Sequence, residues 1–187
     1  LALLRLYGSR VSRALASVYV ELFRGTPVLL QLYLLYFGIL PFARARLHFA
    51  FGTEYDALFA AILGLGLNYA AYESEIYRAG IKSVPQGQME AAQVLGMSTP
   101  LTLRRIIVPQ ALRVALPGVT NDFIALLKDS SLVSVITVVE LTKHMQITAV
   151  DVRSWAVPGL LCAALYLAMS YPLSVLSRRL EARLERA

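Results

Sequence analysis

Residues 90–109 read EAAQVLGMSTPLTLRRIIVP and lie between two strongly apolar parts of the chain. Unlike their neighbours they are amphipathic, and they carry the charged side chains of Glu90, Arg104 and Arg105. A polar segment between apolar blocks favours a position in water. Residues 83–109 are therefore a candidate docking surface for another protein.

The same stretch contains the signals of two short helices with a turn between them. Gly96 is placed to end the first helix, because glycine adopts the left-handed conformation of a helix C-cap without strain. Thr99 and Pro100 suit the N-cap and the first position of the second helix. Pro109 is expected to stop that helix, since proline cannot donate a backbone hydrogen bond.

Composition places the chain in a membrane. Of its 187 residues 57% are hydrophobic, the mean hydropathy is +0.60, and the apolar residues fall in blocks. The net charge of +6 comes from basic residues in short loops, a distribution that indicates membrane topology and not nucleic-acid binding. Cys162 is the single cysteine, so an internal disulfide is excluded.

The apolar blocks predict an all-α, polytopic membrane helical bundle with four spans. We place the spans at residues 18–40, 58–79, 111–127 and 155–176, with Pro27 kinking the first one. The chain starts with a short apolar stretch and without a Met, so we expect that a first helix is largely missing. We treat residues 1–187 as a single transmembrane domain with a tail at 177–187.

Basic residues give the orientation. Thirteen of the 18 Lys and Arg residues fall on one side if the first loop, the docking segment and the tail share that side: Arg5, Arg10, Arg13, Arg24, Arg78, Lys82, Arg104, Arg105, Arg113, Arg178, Arg179, Arg183 and Arg186. Because positive loops face the cytoplasm, we expect residues 83–109 and the C-terminus to be cytoplasmic.

Several polar residues fall within the predicted spans, where they are costly and usually serve a pathway or a pair. Those that we propose for a substrate pathway are Asn68, Tyr72, Glu73, Glu75, Asn121, Asp122, Lys128, Asp129, Ser130 and Ser131. Residues 128–131 interrupt a helix at depth, and broken helices can bind the charged ends of an amino acid. Several of these assignments have a structural alternative. Glu75 can pair with Arg78, Lys128 with Asp129, and Asn68 can pack between helices.

Catalytic and metal chemistry find little support in the sequence. His48 and His144 are isolated in loop-like sequence, and the spacing of Glu140 and His144 lacks a further ligand. Neither a Ser/His/Asp nor a Cys/His arrangement is supported. We therefore predict no catalytic residue, no metal site and no cofactor in this chain.

The docking segment resembles the EAA loop of bacterial ABC importer permeases. Glu90-Ala91-Ala92, Gly96, Ile106 and Pro109 follow that family's pattern, which has Leu where this chain has Val108. Three further stretches, at 20–38, 71–88 and 121–136, look like the branch that takes up polar amino acids such as His, Arg, Lys, Gln and Glu, and opines. Permeases of this branch usually have five core helices, of which four are visible here.

The resemblance implies a transport mechanism with several partners. A second permease subunit, identical or paralogous, completes the pathway in the lipid membrane, and an extracytoplasmic binding protein delivers the amino acid. Two cytoplasmic ATPase subunits bind ATP and Mg and receive the EAA loop. The residues implied for that coupling are Glu90, Ala91, Ala92, Gly96, Arg104 and Pro109. Consistent with this division of labour, the sequence contains no GxxxxGK[ST] phosphate loop.

Two other function classes compete with an ATP-driven permease. An ion-coupled secondary transporter or channel would use Glu73, Glu75 and Asp122, but it would leave the EAA segment without a role. A membrane scaffold would need no pathway, so replacing Asn121 or Asp122 would change assembly alone. The energy source distinguishes the secondary transporter from the permease, because the former uses an ion gradient and the latter uses ATP.

Overall fold

The computed structural model describes residues 1–47 and 55–184, and within them it is helical with no strand. Ten α-helices follow in chain order: α1 (Ala2–Tyr7), α2 (Arg10–Gly25), α3 (Val28–Tyr33), α4 (Leu40–Leu47), α5 (Asp56–Ser83), α6 (Gln86–Val94), α7 (Thr99–Thr102), α8 (Val108–Asp129), α9 (Leu141–Asp151) and α10 (Ala156–Leu184). The predicted all-α class is confirmed.

Some helical turns depart from α geometry. A π-helical segment, Leu34–Ile39, joins α3 to α4, and a second one, Leu103–Ile107, joins α7 to α8. Residues 28–47 and residues 99–129 therefore run as two continuous helices. A 3₁₀ segment, Ser130–Ile136, follows α8, so the predicted helix interruption at residues 128–131 is confirmed.

The first predicted span was wrong in its boundaries. Instead of one helix over residues 18–40 kinked at Pro27, α2 ends at Gly25 and α3 begins at Val28. Pro27 lies between them in extended conformation, with φ −62° and ψ 135°. The chain tolerates a full break here because buried side chains hydrogen-bond the carbonyls that the break exposes, as described below.

Within the described residues, two helical stretches are long and apolar enough to cross a membrane by length and composition, at Val28–Arg46 and Ala156–Ala182. Both are largely exposed in the isolated chain, and Leu160 in the second is 72% exposed. The other two predicted spans are helical as α5 and α8, but they do not meet the same measure. Their crossing of the membrane stays a prediction.

The chain divides into two compact units, and the boundaries fall inside α2, α5, α8 and α10. Unit 1 consists of Leu1–Glu21, Ala71–Phe123 and Val175–Ala187. Unit 2 consists of Leu22–Ala70 and Ile124–Ser174. Its apolar core is built from α3, α5 and the 3₁₀ segment, with Leu32, Ala60, Ala61, Val133 and Ile136 buried together.

Two further expectations concern histidines and the tail. His144 is not in a loop but lies exposed on α9, whose N-terminus is capped by the Glu140 carboxylate. His48 lies outside the described residues. The predicted tail helix is the continuation of α10 to Leu184, and residues 185–187 also lie outside the described part.

Candidate functional site

The docking segment is held in shape by its own backbone hydrogen bonds. Gly96 has φ +74°, so the predicted left-handed C-cap is confirmed. Its amide donates to the carbonyl of Gln93 at 2.9 Å, and the amide of Met97 donates to that of Ala92 at 3.0 Å. These are the two hydrogen bonds of a Schellman motif, which satisfies the last carbonyls of α6 and reverses the chain.

One side of α6 is presented to its surroundings and the other is packed. Glu90 and Ala91 are exposed, whereas Ala92 is 1% exposed and faces the rest of unit 1. Val94 and Leu95 are 87% and 80% exposed, which is unusual for large apolar side chains. These two residues were not predicted as part of the site. The signal for them was their position four and five residues after Glu90, near the end of an amphipathic helix.

The second helix of the segment begins one residue earlier than predicted. Ser98 is the N-cap of α7, and Thr99 and Pro100 are its first residues. The Ser98 side chain makes no capping hydrogen bond, but its carbonyl accepts the amide of Thr102 at 2.9 Å and the Thr102 hydroxyl at 3.1 Å. Thr102 is fully buried, so this turn is fixed from the inside.

Pro109 does not stop the second helix, contrary to prediction. It is the second residue of α8 and follows the π-helical segment Leu103–Ile107 without a break. A proline is tolerated there because the preceding turn is π-helical, with the Val108 amide donating to the carbonyl of Leu103 five residues back, and this wider turn shifts the carbonyls that the proline ring would otherwise meet. Arg104 and Pro109 are both exposed on this continuous helix.

The docking segment is joined to two long helices by short, tight connections. Only two residues separate the end of α5 at Ser83 from the start of α6 at Gln86. Gly80, three residues before the end of α5, is buried against α8. A Cβ at this position would lie 2.6 Å from the carbonyl oxygen of Ala111. This close approach packs α5 tightly against α8 directly beside the segment.

Among the predicted pathway residues, Tyr72, Glu73, Glu75, Asn121 and Asp122 belong to unit 1. Glu73 and Asp122 lie near enough for their carboxylates to repel each other, and the Tyr77 hydroxyl hydrogen-bonds Glu73. Oε2 of Glu73 is buried with no hydrogen-bond partner in the described chain.

The other two members of this set are more open to their surroundings. Tyr72 is 39% exposed, and Asn121 is also exposed.

Glu75 is instead committed to an ion-pair network. The predicted pair with Arg78 is confirmed, because Arg78 Nε donates to both carboxylate oxygens of Glu75 at 3.0 Å. Arg5 of α1 also donates to Glu75, a partner that the sequence analysis missed since it lies 70 residues away. The side chains of Arg5 and Glu75 are only 15% and 16% exposed. Two guanidinium partners favour the structural reading of Glu75.

The remaining candidates, Asn68 and Lys128 to Ser131, belong to unit 2. Asn68 is 5% exposed and donates to the carbonyl of Phe23 at 3.0 Å and to Oε1 of Gln31 at 3.1 Å. Gln31 in turn donates to the carbonyl of Phe23 and to Thr26. Asn68 therefore satisfies the broken backbone between α2 and α3, which is a packing role.

The helix interruption carries its own internal hydrogen bonds. Asp129 accepts the hydroxyl of Tyr69 at 2.8 Å, and within the described part of the chain no ion pair joins it to Lys128. Lys128 is exposed, Ser131 is half-buried, and the Ser130 hydroxyl donates to the carbonyl of Leu127 at 2.7 Å. The alternative that we considered for Lys128 and Asp129 was therefore wrong, and Tyr69 was the missed partner.

The Glu140 carboxylate caps the N-terminus of α9. Its carboxylate accepts the amides of Thr142 and Lys143 at 2.8 Å each and the hydroxyl of Tyr166 at 3.0 Å. Across residues 1–47 and 55–184, no group of three or more His, Cys, Asp or Glu side chains is arranged to hold a metal ion. Glu140 is thus an N-cap that also ties α9 to α10.

The chain matches a known protein family over almost its whole length. The family model described as binding-protein-dependent transport system inner membrane component matches residues 1–186. The chain belongs to this family. The resemblance carried by the EAA loop is therefore confirmed, as is the placement of the chain in an inner membrane.

Several similar proteins are permeases named for the transport of opines or amino acids. The chain is 46% identical over 127 residues to an octopine transport system permease protein of Rhizobium radiobacter, which covers 68% of this chain and 52% of that protein. It is 40% identical over 186 residues to an L-cystine transport system permease protein of Bacillus subtilis, covering 99% of this chain and 76% of that protein. The chain thus spans little more than half the length of the octopine permease.

A solved structure of this family has the same fold. The crystal structure of an amino acid ABC transporter with histidines superimposes with a TM-score of 0.85 at 37% identity, covering 97% of this chain and 81% of that chain. The helical bundle of an ABC importer permease is therefore shown for this family member.

Proposed function

We propose that this chain is the permease subunit of an ATP-driven importer of polar amino acids, that it forms part of the translocation pathway, and that residues 83–109 couple it to a cytoplasmic ATPase. The observation that carries the proposal is the exposed, Schellman-capped helix α6. Family membership indicates the class of transporter, and α6 is the part of the chain that we expect to bind another protein.

The coupling surface combines one charge with an apolar contact. Glu90 offers a carboxylate to basic residues of an ATPase groove, while Val94 and Leu95 offer apolar area that is otherwise exposed to water. Gly96 and the small Ala91 allow close approach. Arg104 and Pro109 lie on the outgoing helix, where they border the same surface.

Motion at this surface reaches the pathway through rigid connections. ATP binding closes the two ATPase subunits and displaces α6. Since α6 follows α5 almost directly and Gly80 clamps α5 to α8, both helices move with it. Movement of α5 and α8 opens the pathway outward, and hydrolysis restores the starting state.

The other components follow from this division of labour. A second permease subunit, identical or paralogous, completes the pathway, and an extracytoplasmic binding protein delivers the substrate. The ATPase subunits bind ATP and Mg, and this subunit holds no cofactor of its own. The cytoplasmic side is the one that carries α6 and the C-terminal end of α10, in accordance with the excess of basic residues there.

The substrate class is an α-amino acid. Relatives are named for octopine, L-cystine and arginine transport, and these compounds share an α-ammonium and a carboxylate group while their side chains differ. Within unit 1, Glu73 and Asp122 are the carboxylates best placed to meet an ammonium group. Glu75 and Asn68 are better explained by the contacts they already make.

Uptake into proteoliposomes tests the coupling role. The full-length permease is reconstituted with its ATPase and binding protein, and uptake of a labelled amino-acid panel is measured with ATP inside. We expect Glu90→Arg to abolish uptake while assembly in the membrane is retained. Gln88→Arg is the control, because it places an arginine on the opposite side of α6 without removing the Glu90 carboxylate, and it should leave most uptake intact.

Two outcomes would overturn the proposal. Uptake that ignores ATP and follows an imposed ion gradient would indicate a secondary transporter. Equal loss in Glu90→Arg and Gln88→Arg would show that α6 has no specific docking side.

A further inference from the structure

A second apolar stripe runs along α2, away from the core. Val11, Leu15 and Val18 are 70%, 67% and 64% exposed, and their spacing of four and then three residues places them on one side of the helix. Ala16 and Val20, which are buried, lie on the opposite side. α2 therefore has two apolar sides, of which the described chain covers one.

The flank between these two sides is basic. Helical spacing places Arg10, Arg13 and Arg24 together on it, all exposed, with Glu21 as the acidic residue among them. Arg13 makes one long hydrogen bond, of 3.4 Å, to the carbonyl of Gly8. The flank thus carries an excess of positive charge directly beside an exposed apolar stripe.

This combination identifies the kind of partner. A helix with an apolar stripe and an adjoining row of arginines fits a bilayer interface, where the stripe enters the acyl boundary and the guanidinium groups reach headgroup phosphates. Contact with α2 of a second copy would bury the stripe, but each helix would bring one acid, Glu21, against three arginines, so most of the positive charge would stay uncompensated. Charge complementarity therefore favours an anionic lipid surface.

We propose that α2 is an interfacial helix that binds anionic phospholipid, with Val11, Leu15 and Val18 in the acyl boundary and Arg10 and Arg13 on the headgroup phosphates. The proposal rests on the membrane setting in the proposed function, but it is independent of the substrate and of ATP coupling. Anionic lipid would thereby fix the position of the helix that precedes the break at Pro27.

A nitroxide on α2 tests the lipid contact directly. Leu15→Cys is labelled in the full-length permease assembled with its ATPase, after replacement of native cysteines including Cys162 by alanine. We expect the label to collide with oxygen, which dissolves in the acyl region, and not with a water-soluble nickel chelate. Leu167→Cys, 64% exposed on the strongly apolar α10, provides the hydrocarbon reference.

A fluorophore at the same cysteine tests the preference for anionic lipid. We expect fluorescent phosphatidylglycerol to be enriched near the labelled residue 15 relative to phosphatidylcholine. Each arginine should increase this enrichment by up to about fivefold, which corresponds to ~1 kcal/mol. Arg10→Gln with Arg13→Gln should remove the enrichment, whereas the Lys pair at these positions and Glu21→Gln should keep it.

Each alternative result contradicts the proposal in a different way. Nickel access at residue 15 would place the stripe in water, and access to neither reagent would show that protein covers it. Oxygen access without phosphatidylglycerol enrichment, or with enrichment that survives Arg10→Gln and Arg13→Gln, would exclude binding of anionic headgroups by these arginines. Gel filtration of each complex checks assembly, and since uptake is not measured, failure here is separate from failure of the transport proposal.

Discussion

Asn68 and Gln31 donate to the same backbone carbonyl, that of Phe23, at 3.0 and 2.9 Å, and Asn68 also donates to Gln31 at 3.1 Å. In a continuous helix that carbonyl would face residue 27, which is a proline and has no amide hydrogen to donate. In a membrane an unsatisfied backbone group costs several kcal/mol, so a helix break needs substitutes of this kind. The Asn68–Gln31 pair is thus the condition under which α2 and α3 can be separate helices.

Replacing Asn68 by Leu should destabilise the permease, because it leaves the amide oxygen of Gln31 buried without its donor. We expect a loss of about 1–3 kcal/mol, the usual cost of leaving a buried polar group unsatisfied. Thermal unfolding of the purified protein in detergent measures it. Asn121→Leu makes the same chemical change at an exposed position and should have little effect. Equal shifts for both variants would refute the role of Asn68.

Local signals predicted the docking segment well and the helix break poorly. The left-handed cap at Gly96 depends on one residue and the carbonyls just before it, so the sequence contains the whole signal. The break at Pro27 depends on Asn68, which meets Gln31 from 37 residues farther along the chain. No periodicity or spacing encodes that contact, and a kink was therefore predicted where a break occurs.

The same limit applies to the candidate site. The pair of Glu75 with Arg78 follows from helical spacing, whereas Arg5 reaches Glu75 from α1 and Tyr69 reaches Asp129 from α5. Pro109 was misread for a different reason. The rule that proline ends a helix assumes α-helical register, and the π-helical segment before it changes that register.

The Glu75 network should be a major contributor to the stability of unit 1. Glu75→Gln removes the charge shared by Arg5 and Arg78 while Arg5 stays largely buried, so we expect a loss of about 3 kcal/mol. Glu21→Gln is the matched control. Glu21 also lies near Arg5, at 3.9 Å, but its side chain is 77% exposed, so the change should be within about 1 kcal/mol.

Denaturant unfolding followed by intrinsic fluorescence compares these two variants. A double variant with Arg5→Gln and Glu75→Gln should lose less than the sum of the single changes, because the two side chains interact. Additive losses would show that Arg5 and Glu75 are not coupled.

Gly96→Ala should weaken the docking turn. An alanine at φ +74° costs about 1–2 kcal/mol, since its Cβ meets the following carbonyl in left-handed backbone. We expect a lower affinity for the ATPase subunit and reduced ATP-dependent uptake. Gly87→Ala is the control on the same helix, because helical glycine gains stability on replacement and a Cβ there meets no described atom within 4 Å. Titration of labelled ATPase measures both affinities, and the prediction fails if Gly87→Ala weakens binding as much.

Gly80→Ala should lower the stability of the permease and also weaken the coupling of ATP hydrolysis to uptake, because it disrupts the contact between α5 and α8. The new Cβ would lie 2.6 Å from the backbone oxygen of Ala111 and 3.3 Å from the Cβ of Ala115, neither of which belongs to a flexible side chain. The helices must therefore move apart, at a cost of about 1–3 kcal/mol for overpacking. Because this contact passes displacement of α6 to α8, we also expect ATP hydrolysis to continue with less amino acid taken up per ATP.

Gly66→Ala provides the comparison, since it lies on the same helix and its Cβ would meet no described heavy atom within 4 Å. It should leave coupling unchanged and stabilise α5 by up to about 1 kcal/mol. Uptake and phosphate release are measured on the same proteoliposomes, with thermal unfolding in parallel. A Gly80→Ala protein that is less stable but keeps the wild-type ratio of uptake to hydrolysis would mean that the close approach supports the fold only, and that α6 moves α8 by another route.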